Sequence, residues 1–114
     1  MDVWLSIEVD TGKGEKEIDV WYNAITDNLI KMAQLANLYE VIWKPKFKKA
    51  RSQIKSLKAG IEQLEMKEMR DAYNKLYNRH TWGSYETLLR FSKQYLKACE
   101  ENPKCTINTG DGNA

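Results

Sequence analysis

Apolar and polar residues alternate along residues 2–10: Val3, Leu5, Ile7 and Val9 fall on one side, and Asp2, Ser6, Glu8 and Asp10 on the other. A period of two predicts a half-buried strand. Trp4 interrupts the polar side. Thr11-Gly12-Lys13-Gly14 reads as a turn. After it, Ile18, Val20 and Tyr22 predict a second, shorter strand or extended segment, with Trp21 on its opposite side.

The spacing then lengthens. Thr26 is placed to cap a helix carrying Leu29, Met32, Ala33 and Ala36, and Asn37 to close it. Tyr39 to Trp43 is a short aromatic and β-branched stretch that Pro45 must end. Phe47, Ala50, Ile54, Leu57, Ile61 and Leu64 recur at steps of three and four, which predicts an amphipathic helix starting near Lys46. Gly60 weakens that helix by about 1 kcal/mol relative to alanine without breaking its phase. Met69, Ala72, Tyr73 and Leu76 carry a further helix, continuous with the last or kinked near Glu65. A loop over residues 78–83 leads to a final helix whose face is Tyr85, Leu88, Leu89, Ser92, Tyr95, Leu96 and Cys99, stopped by Asn102-Pro103. Residues 105–109 predict a closing strand paired with the first.

These elements describe an α+β fold: a small antiparallel sheet from the N- and C-terminal segments, packed with about four α-helices. Its 114 residues, 42% of them hydrophobic, suit one domain over residues 1–109 and a flexible tail over 110–114. Met1-Asp2-Val3-Trp4 lacks the basic start of a secretory signal, and no stretch nears the ~20 apolar residues of a membrane span. The chain is therefore expected in the cytoplasm, with no membrane partner and with Cys99 and Cys105 as free thiols, although a bridge across Asn102-Pro103 is conceivable.

The chemistry begins with exclusions. His80 is the one histidine, and neither paired-cysteine nor EF-hand spacing occurs, so no metal, cofactor or catalytic cluster is expected. A formal charge of +2 argues against a coat for duplex DNA. The distribution of charge is more informative. Lys44 through Lys58 holds seven basic residues and no acid, whereas the first twenty residues hold six acids and two lysines. A short basic stripe suits a small anionic ligand. Trp21, Trp43, Trp82 and Tyr85 stand at element boundaries, where their rings would stack on bases. Lys44, Lys46, Arg79 and Arg90 would engage phosphates, and Asn23, Thr26 and Asn28 would contact polar edges. Twelve aromatics exceed what this core pattern requires, which predicts a homo-oligomer.

A set of stretches carries a resemblance. They are Asp2-Val3-Trp4-Leu5 with Thr11-Gly12, Ile25-Thr26-Asp27-Asn28-Leu29 with Met32-Ala33, and Leu38-Tyr39-Glu40 with Trp43-Lys44-Pro45. Trp82-Gly83-Ser84-Tyr85-Glu86 with Leu89 and Phe91, Tyr95-Leu96-Lys97-Ala98-Cys99, and Asn102-Pro103 complete it. In that order they resemble a group of small bacteriophage and prophage proteins, over all but the last five residues. Such phage proteins include sponges for immune nucleotides. By that analogy the expected function is non-catalytic: sequestering a cyclic oligonucleotide or ADP-ribose-type signal in the host cytoplasm to block anti-phage defence. The alternative is an inhibitor or adaptor that binds a host protein through an aromatic surface. An enzyme such as a nucleotide phosphodiesterase would need an acid site that no motif announces.

Overall fold

The computed structural model describes the backbone of residues 1–76 and 85–110 and the side chains of residues 1–72 and 85–110. Three strands, β1 (Asp2–Asp10), β2 (Glu15–Ala24) and β3 (Thr106–Gly110), form an antiparallel sheet in the order β2-β1-β3. Among the described residues, five α-helices follow β2: α1 (Ile30–Leu35), α2 (Tyr39–Trp43), α3 (Ile54–Glu65), α4 (Lys67–Leu76) and α5 (Tyr85–Glu101). This is the small α+β fold that the hydropathy pattern predicts. The closing strand pairs with β1 as expected, from Asp2 opposite Gly110 to Ser6 opposite Thr106.

Local rules account for most boundaries. Gly12 and Gly14 take φ of 82° and 122° in the turn between β1 and β2, a region closed to most side chains. Asp10 Oδ1 accepts from the Gly12 amide at 2.8 Å and holds that turn. Thr26 Oγ1 accepts from the Asn28 amide and caps a 3-10 turn, Asp27–Leu29, that leads into α1. Asn37, at φ 60°, closes α1 in the left-handed conformation that asparagine tolerates. The chain breaks between α3 and α4 at Met66, whose ψ of 133° is extended.

The core joins Val3 and Leu5 of β1 to Leu29, Met32, Leu38, Ile42, Leu57, Leu64, Leu88 and Tyr95. On α5 the buried face is rotated from the predicted one: Phe91 and Ala98 are buried, while Leu89 and Leu96 are half-buried.

Two expectations are corrected. The second strand is longer than predicted, and a bulge interrupts its alternation. Leu5 lies opposite Trp21 and Ser6 opposite Asp19, so Val20 is left over. One extra residue reverses every side chain beyond it, which puts Ile18 on the same face as Trp21 and Leu5 instead of opposite. The basic segment is also not helical at its start. A 3-10 turn, Ala50–Gln53, precedes α3, and Lys48 and Lys49 run extended beside β3, where the Ile107 amide donates to Lys48 O at 2.6 Å. Pro45 and this pairing override the helical phase of Phe47, whose ring is 63% exposed.

Candidate binding site

The aromatic residues assigned to base stacking are mostly built into the body. Trp21 lies flat on Tyr95 of α5, with ring centroids 5.5 Å apart and planes 7° from parallel, and meets Phe91 edge-on at 6.3 Å. Trp43 is only 8% exposed. Its ring packs beside Tyr39, and its Nε1 donates to Asp27 Oδ1 at 3.0 Å, which brings it next to the turn formed by Thr26 and Asn28. Tyr85 is buried, its hydroxyl donates to Leu64 O, and Arg70 lies over its ring. Trp43 and Tyr85, buried in this way, have no free face for a base, and Trp21 has one face taken by Tyr95. Asn23 donates to Gln94 Oε1 at 2.9 Å. Arg90 is exposed on α5, and Arg79 and Trp82 lie outside the described residues, as does His80.

The predicted phosphate contacts Lys44 and Lys46 are exposed. Lys44 stands over the Tyr39 ring, and Lys46 pairs with Glu40 at 3.9 Å. Phe47, between Lys46 and Lys48, offers the free ring that Trp43 does not, and the sequence pattern assigned it to a helix core. The cleft beside it measures about 100 Å³ and is lined by Glu40, Lys46, Phe47, Gln53 and Ser56 among others. That is below the several hundred Å³ of a pocket that encloses a nucleotide-sized ligand.

A different surface stands out. The pairing of β3 with β1 stops at Ser6, so residues 7–10 of β1 and 15–18 of β2 continue as a two-stranded ribbon past the third strand. Four residues of each strand extend it by roughly 13 Å. Its two faces differ sharply. One carries Ile7 opposite Ile18 and Val9 opposite Lys16. The other carries Asp19 opposite Ser6, Glu8 opposite Glu17 and Asp10 opposite Glu15. Ile18 and Val20 are each 42% exposed. Apolar residues so placed leave much of their surface to solvent, and like charges directly across a strand pair destabilise it.

The carboxylates interact. Glu15 shares a hydrogen bond with Glu8, which with the charge of Glu15 holds the Glu8 carboxyl above the usual carboxylate range, while Lys49 opposes the effect. At the ribbon's base, Tyr22 projects from the acidic face and donates to Asp2 Oδ1 at 2.7 Å. On the body side, an open groove of about 470 Å³ runs between residues 20–23 of β2 and α5, lined by Trp21, Asn23, Gln94, Lys97, Ala98 and Glu101 among others. The acidic alternation in both strands was a visible signal for this surface. It becomes a face only when the register is known.

Among the described residues, no group of histidine, cysteine and carboxylate side chains is arranged to hold a metal, and no helix is long and apolar enough to cross a membrane. Comparison with protein-family models, with curated proteins and with solved structures finds no match for this chain.

Proposed function

We propose that this protein is a non-catalytic binding protein that engages another protein through its β1–β2 ribbon, acting as an inhibitor or adaptor in the cytoplasm. The observation that carries the reading is the ribbon itself: exposed Ile7 and Ile18 on one face and five carboxylates on the other. A two-stranded hairpin is marginal alone in water, and a partner that covers the apolar face stabilises it. Site-specific photo-cross-linking in cells tests this. A benzophenone side chain in place of Val20 is expected to give one discrete protein adduct, and the same probe at the exposed Lys31 none. No adduct at Val20, or the same adducts at both positions, would overturn it.

A second reading, sequestration of a small anionic nucleotide, draws support from Phe47. An exposed ring flanked by Lys46 and Lys48 combines a stacking surface with cations. Incubation with extracts of cells whose nucleotide-signalling defences are active, followed by heat release and mass spectrometry, tests it. An intact nucleotide that is lost in Phe47→Ala supports sequestration. A cleaved product, or no nucleotide, contradicts it.

A further inference from the structure

A protein that grips the ribbon, as proposed above, must satisfy three features of it at once. The first is a backbone edge. β2 is the outer strand of the sheet, so among the described residues its outward donors and acceptors have no strand to pair with. The second is the groove beside that edge, where side chains of an added strand would drop between Trp21 on one wall and Lys97 and Glu101 on the other, beside the Asn23–Gln94 hydrogen bond that bridges the two walls. The third is charge. Along β2 the side chains on the face away from the groove are Glu15, Glu17 and Asp19, and Glu8 and Asp10 stand beside them from β1.

We infer that the free edge of β2 is a strand-addition site for an extended segment of another protein in which apolar residues alternate with lysine or arginine. Strand addition takes its affinity from main-chain hydrogen bonds and its specificity from alternate side chains. Here the alternation is set by β2: apolar side chains continue the face of Ile18 and Trp21, and basic ones lie across from Glu15, Glu17 and Asp19. A basic neighbour also relieves the repulsion between Glu8 and Glu15 that the isolated ribbon retains. A second copy of this chain does not meet these terms. Antiparallel pairing of β2 with its own copy keeps the faces aligned, so the carboxylates of one copy would stand against those of the other.

The experiment titrates the intact, isotopically labelled protein with three synthetic heptapeptides: alternating lysine and valine, the same residues in two blocks, and alternating glutamate and valine. The alternating basic peptide should bind, shift the amide signals of β2 and slow their exchange with solvent. Charge reversal by Glu17→Lys with Asp19→Lys should weaken binding about tenfold or more, and added salt should weaken it too. N-methylation of the amides on one edge of the peptide should abolish binding, and on the other edge leave it intact. Equal binding of the block peptide without protection of β2, or no binding of either basic peptide, would overturn the inference. So would β2 amides that become protected with protein concentration alone, which would make a second copy the occupant. Ile18→Ser provides a variant that keeps every charge, and undiminished binding by it would also count against the site. A Val20 cross-link that persists after these failures would retain the protein-binding function and remove only strand addition as its mode.

Discussion

Trp21 of β2 and Tyr95 of α5 stack with centroids 5.5 Å apart, and this contact ties the base of the projecting ribbon to the longest helix. The Tyr95 hydroxyl is buried near Gln53 but has no well-formed hydrogen bond among the described residues, and burial pushes its phenol well above the usual range while Gln53 opposes the shift. The ring, not the hydroxyl, therefore stabilises the pair. Tyr95→Phe should be as stable as the original or slightly more so, because it removes an unsatisfied buried group. Trp21→Ala should lose about 2–4 kcal/mol in denaturant unfolding. A destabilised Tyr95→Phe would mean that the hydroxyl has a partner that matters.

Gly60 of α3 faces Leu38, and a β-carbon on Gly60 would overlap the Leu38 Cγ and Cδ2 and lie 3.3 Å from Ala36 O. Leu38 is fully buried, so any shift that makes room disturbs the packed core around it. Helix propensity alone favours Gly60→Ala by about 1 kcal/mol. Overpacking of this kind costs about 1–3 kcal/mol, so the variant should be net destabilised in a chemical melt. A gain in stability would show that Leu38 can move.

The Glu8–Glu15 contact makes the ribbon sensitive to pH. Glu8 holds its proton more tightly in the folded ribbon than in an unfolded chain. Its contribution is therefore complete below the ordinary value of 4.5 and is lost as pH rises through the raised folded value. Amide protection in residues 7–19, corrected for intrinsic exchange, should be higher at mildly acidic pH than at neutrality. Glu15→Gln should flatten that dependence. An unchanged profile in Glu15→Gln would rule out this pair as its origin.

Cys99 and Cys105 are both buried and both free. Burial, and next to it the neighbouring Cys105, push the Cys99 thiol from about 9 up to about 12. Alkylation of Cys99 at pH 8 should be far slower in the folded protein than in denaturant, since the thiolate is the reactive form. The same displacement destabilises the fold as pH rises from about 9 toward about 12, because only the unfolded chain then releases the proton. Rapid alkylation under native conditions would contradict this burial.

The strands, the cap at Thr26, the closure at Asn37 and the final helix were legible because each rests on residues near in sequence. The bulge at Val20 was not: valine suits either strand arrangement, and only the pairing of Leu5 with Trp21 and Ser6 with Asp19 creates the extra residue. Phe47 fitted a helical phase with Ala50, but contacts of Lys48 and Lys49 with β3, far away in sequence, draw the chain out straight. Burial of Trp43 depends in the same way on Asp27, sixteen residues earlier. The aromatic surplus that suggested a homo-oligomer is largely taken up by Trp21, Tyr39, Trp43, Tyr85, Phe91 and Tyr95 within or against the core. Tertiary contacts decide which rings are free, and local patterns do not contain them.

The most direct measurement of the ribbon's role is thermal unfolding of a protein in which it has been cut back. Ile7 and Ile18 face each other, so replacing residues 8–17 by Asn-Gly joins them through a two-residue hairpin turn. If the ribbon exists for a partner and not for the core, the shortened protein should lose less than ~1 kcal/mol, or roughly 5 °C in Tm, and should not form the adduct expected at Val20 of the full ribbon. A drop well beyond that, or an undiminished Val20 adduct, would show that the ribbon is a structural element and that binding lies elsewhere.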